Sequence, residues 1–210
     1  MKGPRIRLPS LRRALIRLHS DLLKIHWAIL PHHAQYPQRL SQFERLVLVL
    51  EDRRFFDHVG IDWRRLIREA FKAMTFRKHG GASTIDMQLV RTATGYRNRN
   101  IYRKSYEILL SYMIQFRYSK LEILRSYLSI AYFGTGIKGC EEASMEMFGK
   151  RSSELEVHEA AQVAAMLVFP KPRTPSAEWE KKHLRRSNYI EFVYWKCENR
   201  FNKIEGRIFS

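Results

Sequence analysis

At 210 residues and 45% hydrophobic content, the chain carries enough apolar side chain for one cored domain and is not a disordered polymer. Its formal net charge of +17, from 38 Lys and Arg against 21 Asp and Glu, implies an anionic partner: nucleic acid, an anionic membrane surface or a phosphorylated substrate. Cys140 and Cys197 make no disulfide framework and show no metal-ligand spacing, and no segment has the roughly 18–20 uninterrupted apolar residues of a membrane span or the apolar block of a signal peptide.

In chain order, the first element is a basic amphipathic helix. Leu11, Ala14, Leu15, Leu18, Leu22, Ile25 and Ile29 recur at helical spacing, Arg12, Arg13, Arg17 and Lys24 lie off that stripe, and Trp27 stands near the end. Such a helix either lies in a bilayer interface or packs on its own domain. Pro31 and Pro37 punctuate a linker, so residues 1–40 read as an arm. The run "LVLVLEDRRFFDHVGID" then ends five apolar residues in Glu51 and Asp52, which is either a salt-bridged helix end or a site carboxylate. Trp63, Leu66, Ile67, Ala70, Phe71 and Met74 mark a helix with Asp62 as its N-cap.

In "KHGGASTIDMQLVR", two glycines lead into Ser83 and Thr84, and a helical pattern starts at Ile85. Ser83 and Asp86 have the spacing of a capping box. The free N–H groups and dipole of the same helix start also suit a phosphate, with Gln88 and Arg91 one and two turns in. Arg97 and Arg99 fall in a loop. Arg103 and Lys104 open the next helix with Glu107 following, either a surface salt bridge or a carboxylate among phosphate-binding cations. Ile123, Leu124, Tyr127, Leu128, Ala131 and Tyr132 mark another helix stopped by Gly134, and Gly134, Gly136 and Gly139 make a tight loop. "LEVHEAAQVAAMLVF" reads as an Ala-rich buried helix, and residues 176–210 as a helical extension. Period-2 strands are absent, so the fold class is mainly α.

Taken in order, these segments resemble the five motifs of the peptidoglycan glycosyltransferase family (family 51), over roughly residues 43–172. Glu51, Asp52, Arg53, Phe55, His58 and Gly60 meet the first motif, and Gly81, Ser83, Thr84, Ile85, Gln88 and Leu89 the second, with Arg91 in place of its lysine. Arg103, Lys104 and Glu107 make the third, "EILRSYLSIAYFGTGIKG" the fourth and "HEAAQVAAML" the fifth. Departures are Ala82 for glycine, Asp86 for threonine or serine, Thr92 for asparagine, and Arg125 and Ser129 where glutamate and asparagine are usual.

The resemblance implies a lysozyme-like domain over residues 41–175, with a large lobe and a small membrane-proximal jaw. It implies polymerisation of lipid II into β-1,4-linked glycan with release of undecaprenyl pyrophosphate, on the outer face of the bacterial inner membrane. Glu51 takes the place of the base. Glu107 supports the pyrophosphate site, directly or through a divalent cation, Mg or Mn, and no organic cofactor is expected. Arg91, Arg103 and Lys104 face the pyrophosphate, Ser83, Thr84 and Gln88 touch substrate oxygens, and Asp52, Phe55 and His58 shape the substrate-binding motif. Asp86 near a pyrophosphate would be repulsive unless a metal or an arginine screened it. The partners implied are lipid II, the growing glycan, an anionic membrane surface and cell-wall synthesis proteins, with no nucleic acid. A non-catalytic lipid II-binding member of the family is the alternative reading.

Overall fold

A computed structural model describes residues 10–32, 39–74, 81, 83–96 and 100–208. Ala82, Arg97 and Arg99 lie outside them. Among the described residues the chain forms helices α1 (Leu11–Ile29), α2 (Gln42–Glu51), α3 (Trp63–Met74), α4 (Ile85–Thr94), α5 (Ile101–Ile114) and α6 (Lys120–Ile130). A hairpin of β1 (Tyr132–Gly134) and β2 (Ile137–Lys138) follows, then α7 (Cys140–Phe148), α8 (Val157–Ala165) and the long α9 (Ala177–Ile208).

The mainly α class holds, with one correction. The glycine-rich segment after α6 is an antiparallel hairpin pairing Tyr132 with Lys138 and Gly134 with Ile137. Its outer edge bonds to the chain near Lys171, whose N–H donates to Phe133 and whose carbonyl accepts from Thr135, both at 2.8 Å. A Cβ on Gly134 would lie 2.5 Å from the Lys171 carbonyl oxygen, so only glycine admits that approach. α6 accordingly ends at Ile130, capped by Ala131 in extended backbone, four residues before the expected stop at Gly134.

α2 packs against α8 and α9, and α4 against α5, α6 and α1. One apolar cluster joins Ile25 and Ile29 of α1, Leu46, Val47, Leu48 and Val49 of α2, Ala160, Ala161 and Ala164 of α8, and Ile190 and Phe201 of α9. The alanines of α8 let α2 and α9 approach closely, which is why this helix is Ala-rich and buried.

α1 divides into two halves. Ile25 and Ile29 are buried, whereas Leu11, Leu15 and Ile16 of the N-terminal half are exposed, and Trp27 points outward from the seated half. The expected stripe therefore seats only its C-terminal part on the domain. Asp21 fixes that half: it is buried, accepts from Tyr96 Oη at 2.7 Å, Tyr106 Oη at 3.1 Å and Lys24 Nζ at 2.9 Å, and so ties α1 to the α4–α5 corner.

Candidate active site

α2 starts at a capping box, Ser41 Oγ accepting from Glu44 N–H and Glu44 Oε2 from Ser41 N–H. Its apolar run faces the core until Glu51, and Asp52 leaves the helix with φ −154°. The arginines that follow are not partners of Glu51. Arg53 Nε donates to the Val49 carbonyl at 3.0 Å, and Arg54 Nη1 to Asp62 Oδ1 at 3.0 Å. Asp62 also accepts from Arg65 N–H at 3.1 Å and caps α3 as the sequence predicts. What meets the Glu51 carboxylate is Gln88: its Nε2 donates to Oε2 at 2.8 Å, and its Oε1 accepts from Tyr127 Oη at 2.7 Å. The chain Tyr127–Gln88–Glu51 aims the carboxylate by way of α6 and α4.

α4 begins where expected, but its cap is Thr84, not Ser83. Thr84 Oγ1 accepts from Met87 N–H at 3.3 Å and donates to the Gly60 carbonyl at 2.7 Å, and the side chain is fully buried. Thr84 therefore has no surface to offer a substrate oxygen, a correction to its expected contact. The Gly60 turn beneath it has φ +71°, and a Cβ there would meet the Ser111 carbonyl oxygen at 2.5 Å. Released from capping, Ser83 Oγ accepts from Lys104 Nζ at 3.0 Å and Arg91 Nη2 at 3.3 Å.

Glu107, with no exposed surface, draws these cations together. Arg91 binds it with two parallel bonds, Nε to Oε1 at 3.1 Å and Nη2 to Oε2 at 3.2 Å, and Arg103 Nη1 donates to Oε1. Arg103 Nε is buried without a hydrogen-bond partner. Burial, then Arg91 and Arg103, hold the Lys104 ammonium below the ordinary lysine value, with Glu107 opposing. Two guanidinium groups on one carboxylate, with the Lys104 ammonium beside them on Ser83, leave a surplus of positive charge that suits a polyanion.

Asp52, Phe55 and His58 point inward. Asp52 Oδ2 accepts from Ile85 N–H at 3.3 Å at the start of α4 and lies 3.0 Å from His58 Nε2. Asp86 is buried beside them and does not reach the Ser83 cluster. It accepts from Lys120 Nζ at 3.1 and 3.2 Å and from the Gln115 amide, with His58 Nδ1 4.0 Å away. Burial pushes the Asp86 carboxyl up and the Lys120 ammonium down, while each charge stabilises the other. Asp86 is thus held away from the Ser83 cluster, and the group that screens its charge is a lysine rather than a metal or an arginine. Lys120, its ammonium 4.3 Å from the Phe55 ring centroid, closes this group from the far side.

Arg125 and Ser129 sit on the face of α6 turned away from Tyr127. Arg125 Nε donates to Glu44 Oε1 at 2.7 Å and Ser129 Oγ to the Ser126 carbonyl at 2.9 Å. Neither departure touches the Glu51 or Glu107 groups. Nothing in the sequence alone marks Tyr127, Gln115 or Lys120 as members of these groups. Tyr127 reads there as one more member of an apolar helical pattern, and only the packing of α6 on α4 gives its hydroxyl a purpose.

The carboxylates of this site are already matched by protein cations. Both Glu107 oxygens are engaged by the Arg91 and Arg103 guanidinium groups, and the Lys104 ammonium stands nearby on Ser83. Asp52, His58 and Asp86 bring ligand atoms within 4.8 Å of one another, but Lys120 supplies the positive charge there.

The family model described as transglycosylase matches residues 26–192. Penicillin-binding protein 2a of Streptococcus pneumoniae is 34% identical over 151 residues, 72% of this chain and 20% of that protein. A biosynthetic peptidoglycan transglycosylase of Aromatoleum aromaticum is 38% identical over 139 residues, covering 66% of this chain and 60% of that protein. One of Shewanella denitrificans is 29% identical over 185 residues, 83% of this chain and 81% of that protein. The chain thus spans a fifth of the penicillin-binding protein it matches. The matched span runs from within α1 to within α9 and encloses both the Glu51–Gln88–Tyr127 chain and the cation cluster on Glu107, and the chain belongs to the transglycosylase family.

Proposed function

We propose that this chain is a peptidoglycan glycosyltransferase that polymerises lipid II and releases undecaprenyl pyrophosphate. One observation carries the reading. α4 holds Gln88 on Glu51 and, three residues or about 4.5 Å along its axis, Arg91 on Glu107. A single rigid element therefore sets the spacing between a proton acceptor and a cation cluster, the two things that glycosyl transfer from a pyrophosphate needs.

Glu51 Oε2 is engaged by Gln88, which leaves Oε1 to take the proton from the incoming sugar hydroxyl as the new C–O bond forms at the anomeric carbon. The bond from that carbon to the pyrophosphate oxygen breaks, and the electron pair leaves with the pyrophosphate. Arg91, Arg103 and Lys104 neutralise the departing charge. Ser83 steadies Lys104 and Arg91 in the absence of substrate. Glu107 acts by holding the guanidinium groups in place. No step is routed through a metal.

The substrate is a lipid, and two helices suit its surface. Trp63, Ile67 and Phe71 line one stripe of α3, 57%, 66% and 66% exposed, between Arg64, Arg68 and Lys72. The outer half of α1 repeats the pattern with Leu11, Leu15, Arg12 and Arg13. Basic residues beside exposed aromatic and aliphatic ones bind an anionic interface, each cation adding on the order of 1 kcal/mol. No described helix is long and apolar enough to cross a membrane.

The test is polymerisation of labelled lipid II by wild type and by Glu51→Gln. Glycan strands from the first and none from the second are expected. Wild type that binds lipid II yet makes no polymer would leave the non-catalytic reading in its place.

A further inference from the structure

A cavity of about 350 Å³ opens between the start of α2, the Arg125–Ser129 face of α6 and the start of α7. It shares no lining residue with the Glu51 or Glu107 groups. Its floor is apolar, with Phe43 and Leu128, and its rim carries His32, Arg39, Arg125 and Lys138. Its volume falls within the range of small-molecule sites, which pair an apolar floor with a few polar groups.

The charges of this cavity are unequally spent. Its two carboxylates are both consumed by protein donors: Glu44 by Arg125 and the Ser41 N–H, and Glu141 by the Ser152 N–H and hydroxyl. Arg39 and Lys138 are exposed and have no ion-pair partner among the described residues. Burial first, and the nearby Arg125 guanidinium second, hold His32 below its ordinary value. Both departures from the fourth motif fall here. Arg125 and Ser129, one helical turn apart on a single face of α6, stand where the motif has glutamate and asparagine. The replacements exchange a negative charge for a positive one and shorten the second side chain, so the cavity is more positive and wider than the motif residues would leave it.

The geometry points to a binding site for a small organic acid, a phosphate or carboxylate head on a short apolar body, with the head at Arg39 and Lys138 and the body against Phe43 and Leu128. This inference does not rest on the glycosyltransferase reading.

The test titrates the ¹⁵N-labelled full chain with hexyl phosphate and with hexanoate, and in parallel with hexanol and hexyltrimethylammonium. Either acid is expected to shift the amides of Ser129, Gly139 and Cys140 saturably, with hexanol and the cation weaker. The double variant Arg39→Glu/Lys138→Glu weakens acid binding by about tenfold through loss of the rim charges. Ser129→Asn weakens it by narrowing the cavity, and leaves the far-UV spectrum unchanged. Equal shifts with hexanol, unchanged affinity in the charge-reversed variant, or shifts confined to the Ser83, Arg91 and Arg103 amides would each overturn the assignment; the last places the acid in the catalytic cluster alone.

Discussion

The Gln88 amide donates to Glu51 Oε2 across 2.8 Å and is itself held by the Tyr127 hydroxyl at 2.7 Å. The relay converts the packing of α6 on α4 into the aim of one carboxylate. Gln88→Leu keeps the helix and removes both bonds, and is expected to lower kcat by about 10²-fold, within the contribution of a positioned base. Tyr127→Phe frees Gln88 without removing it and should cost only about tenfold or less. Single-turnover rates on lipid II check both, and equal rates for wild type and Gln88→Leu would remove the relay from the mechanism.

Glu107→Gln leaves Arg91 and Arg103 converging on a neutral group. Removing one partner of a buried ion pair costs about 3 kcal/mol or more, so the melting temperature falls. Inorganic pyrophosphate restores negative charge to the same guanidinium groups, and its stabilising effect, read by thermal melting, should be larger in the variant than in wild type.

Lys104 gives a pH signature. Its folded-state value lies below the ordinary 10.5, so the folded protein releases this proton at a lower pH than the unfolded chain does. Stability then rises with pH toward 10.5, because the unfolded state binds more protons there. Substrate capture moves the opposite way, since the cation is lost over the same window. The alkaline limb of kcat/KM is expected below the ordinary lysine value in wild type and to move upward in Lys104→Arg, whose guanidinium does not titrate there.

Asp86→Asn strands the Lys120 ammonium in a buried site and should destabilise the fold by about 3 kcal/mol. The double variant Asp86→Thr/Lys120→Met removes both charges, and is expected to recover most of that loss in a denaturation cycle. Its rate on lipid II should stay close to that of wild type, because neither side chain reaches the cation cluster on Glu107.

α1 predicts two separable phenotypes. Removing residues 1–16 takes away the exposed Leu11, Leu15 and Ile16 and should reduce co-sedimentation with phosphatidylglycerol vesicles without changing the melting temperature. Asp21→Ala leaves the outer half intact but strips Tyr96 and Tyr106 of their acceptor, and should cost about 1–3 kcal/mol in stability while vesicle binding persists.

The sequence by itself determined the helical class and most of its landmarks. A helix reveals itself through local spacing, as at Asp62 before α3 and Ile85 at the start of α4, and the identities of Glu51, Arg91, Arg103 and Glu107 stand in motifs read along the chain. What only tertiary structure decided was direction and partnership. Ser83 and Thr84 are adjacent and chemically alike, and the Gly60 carbonyl chose which of them would cap. Asp86 looks like a misplaced charge until Gln115 and Lys120, about 30 residues away, are packed against it. Arg125 resembles a damaged motif until it meets Glu44, 81 positions earlier. Local periodicity fixes which residues share a face, but the partner of a polar group depends on which distant element covers that face, and long-range packing settles that.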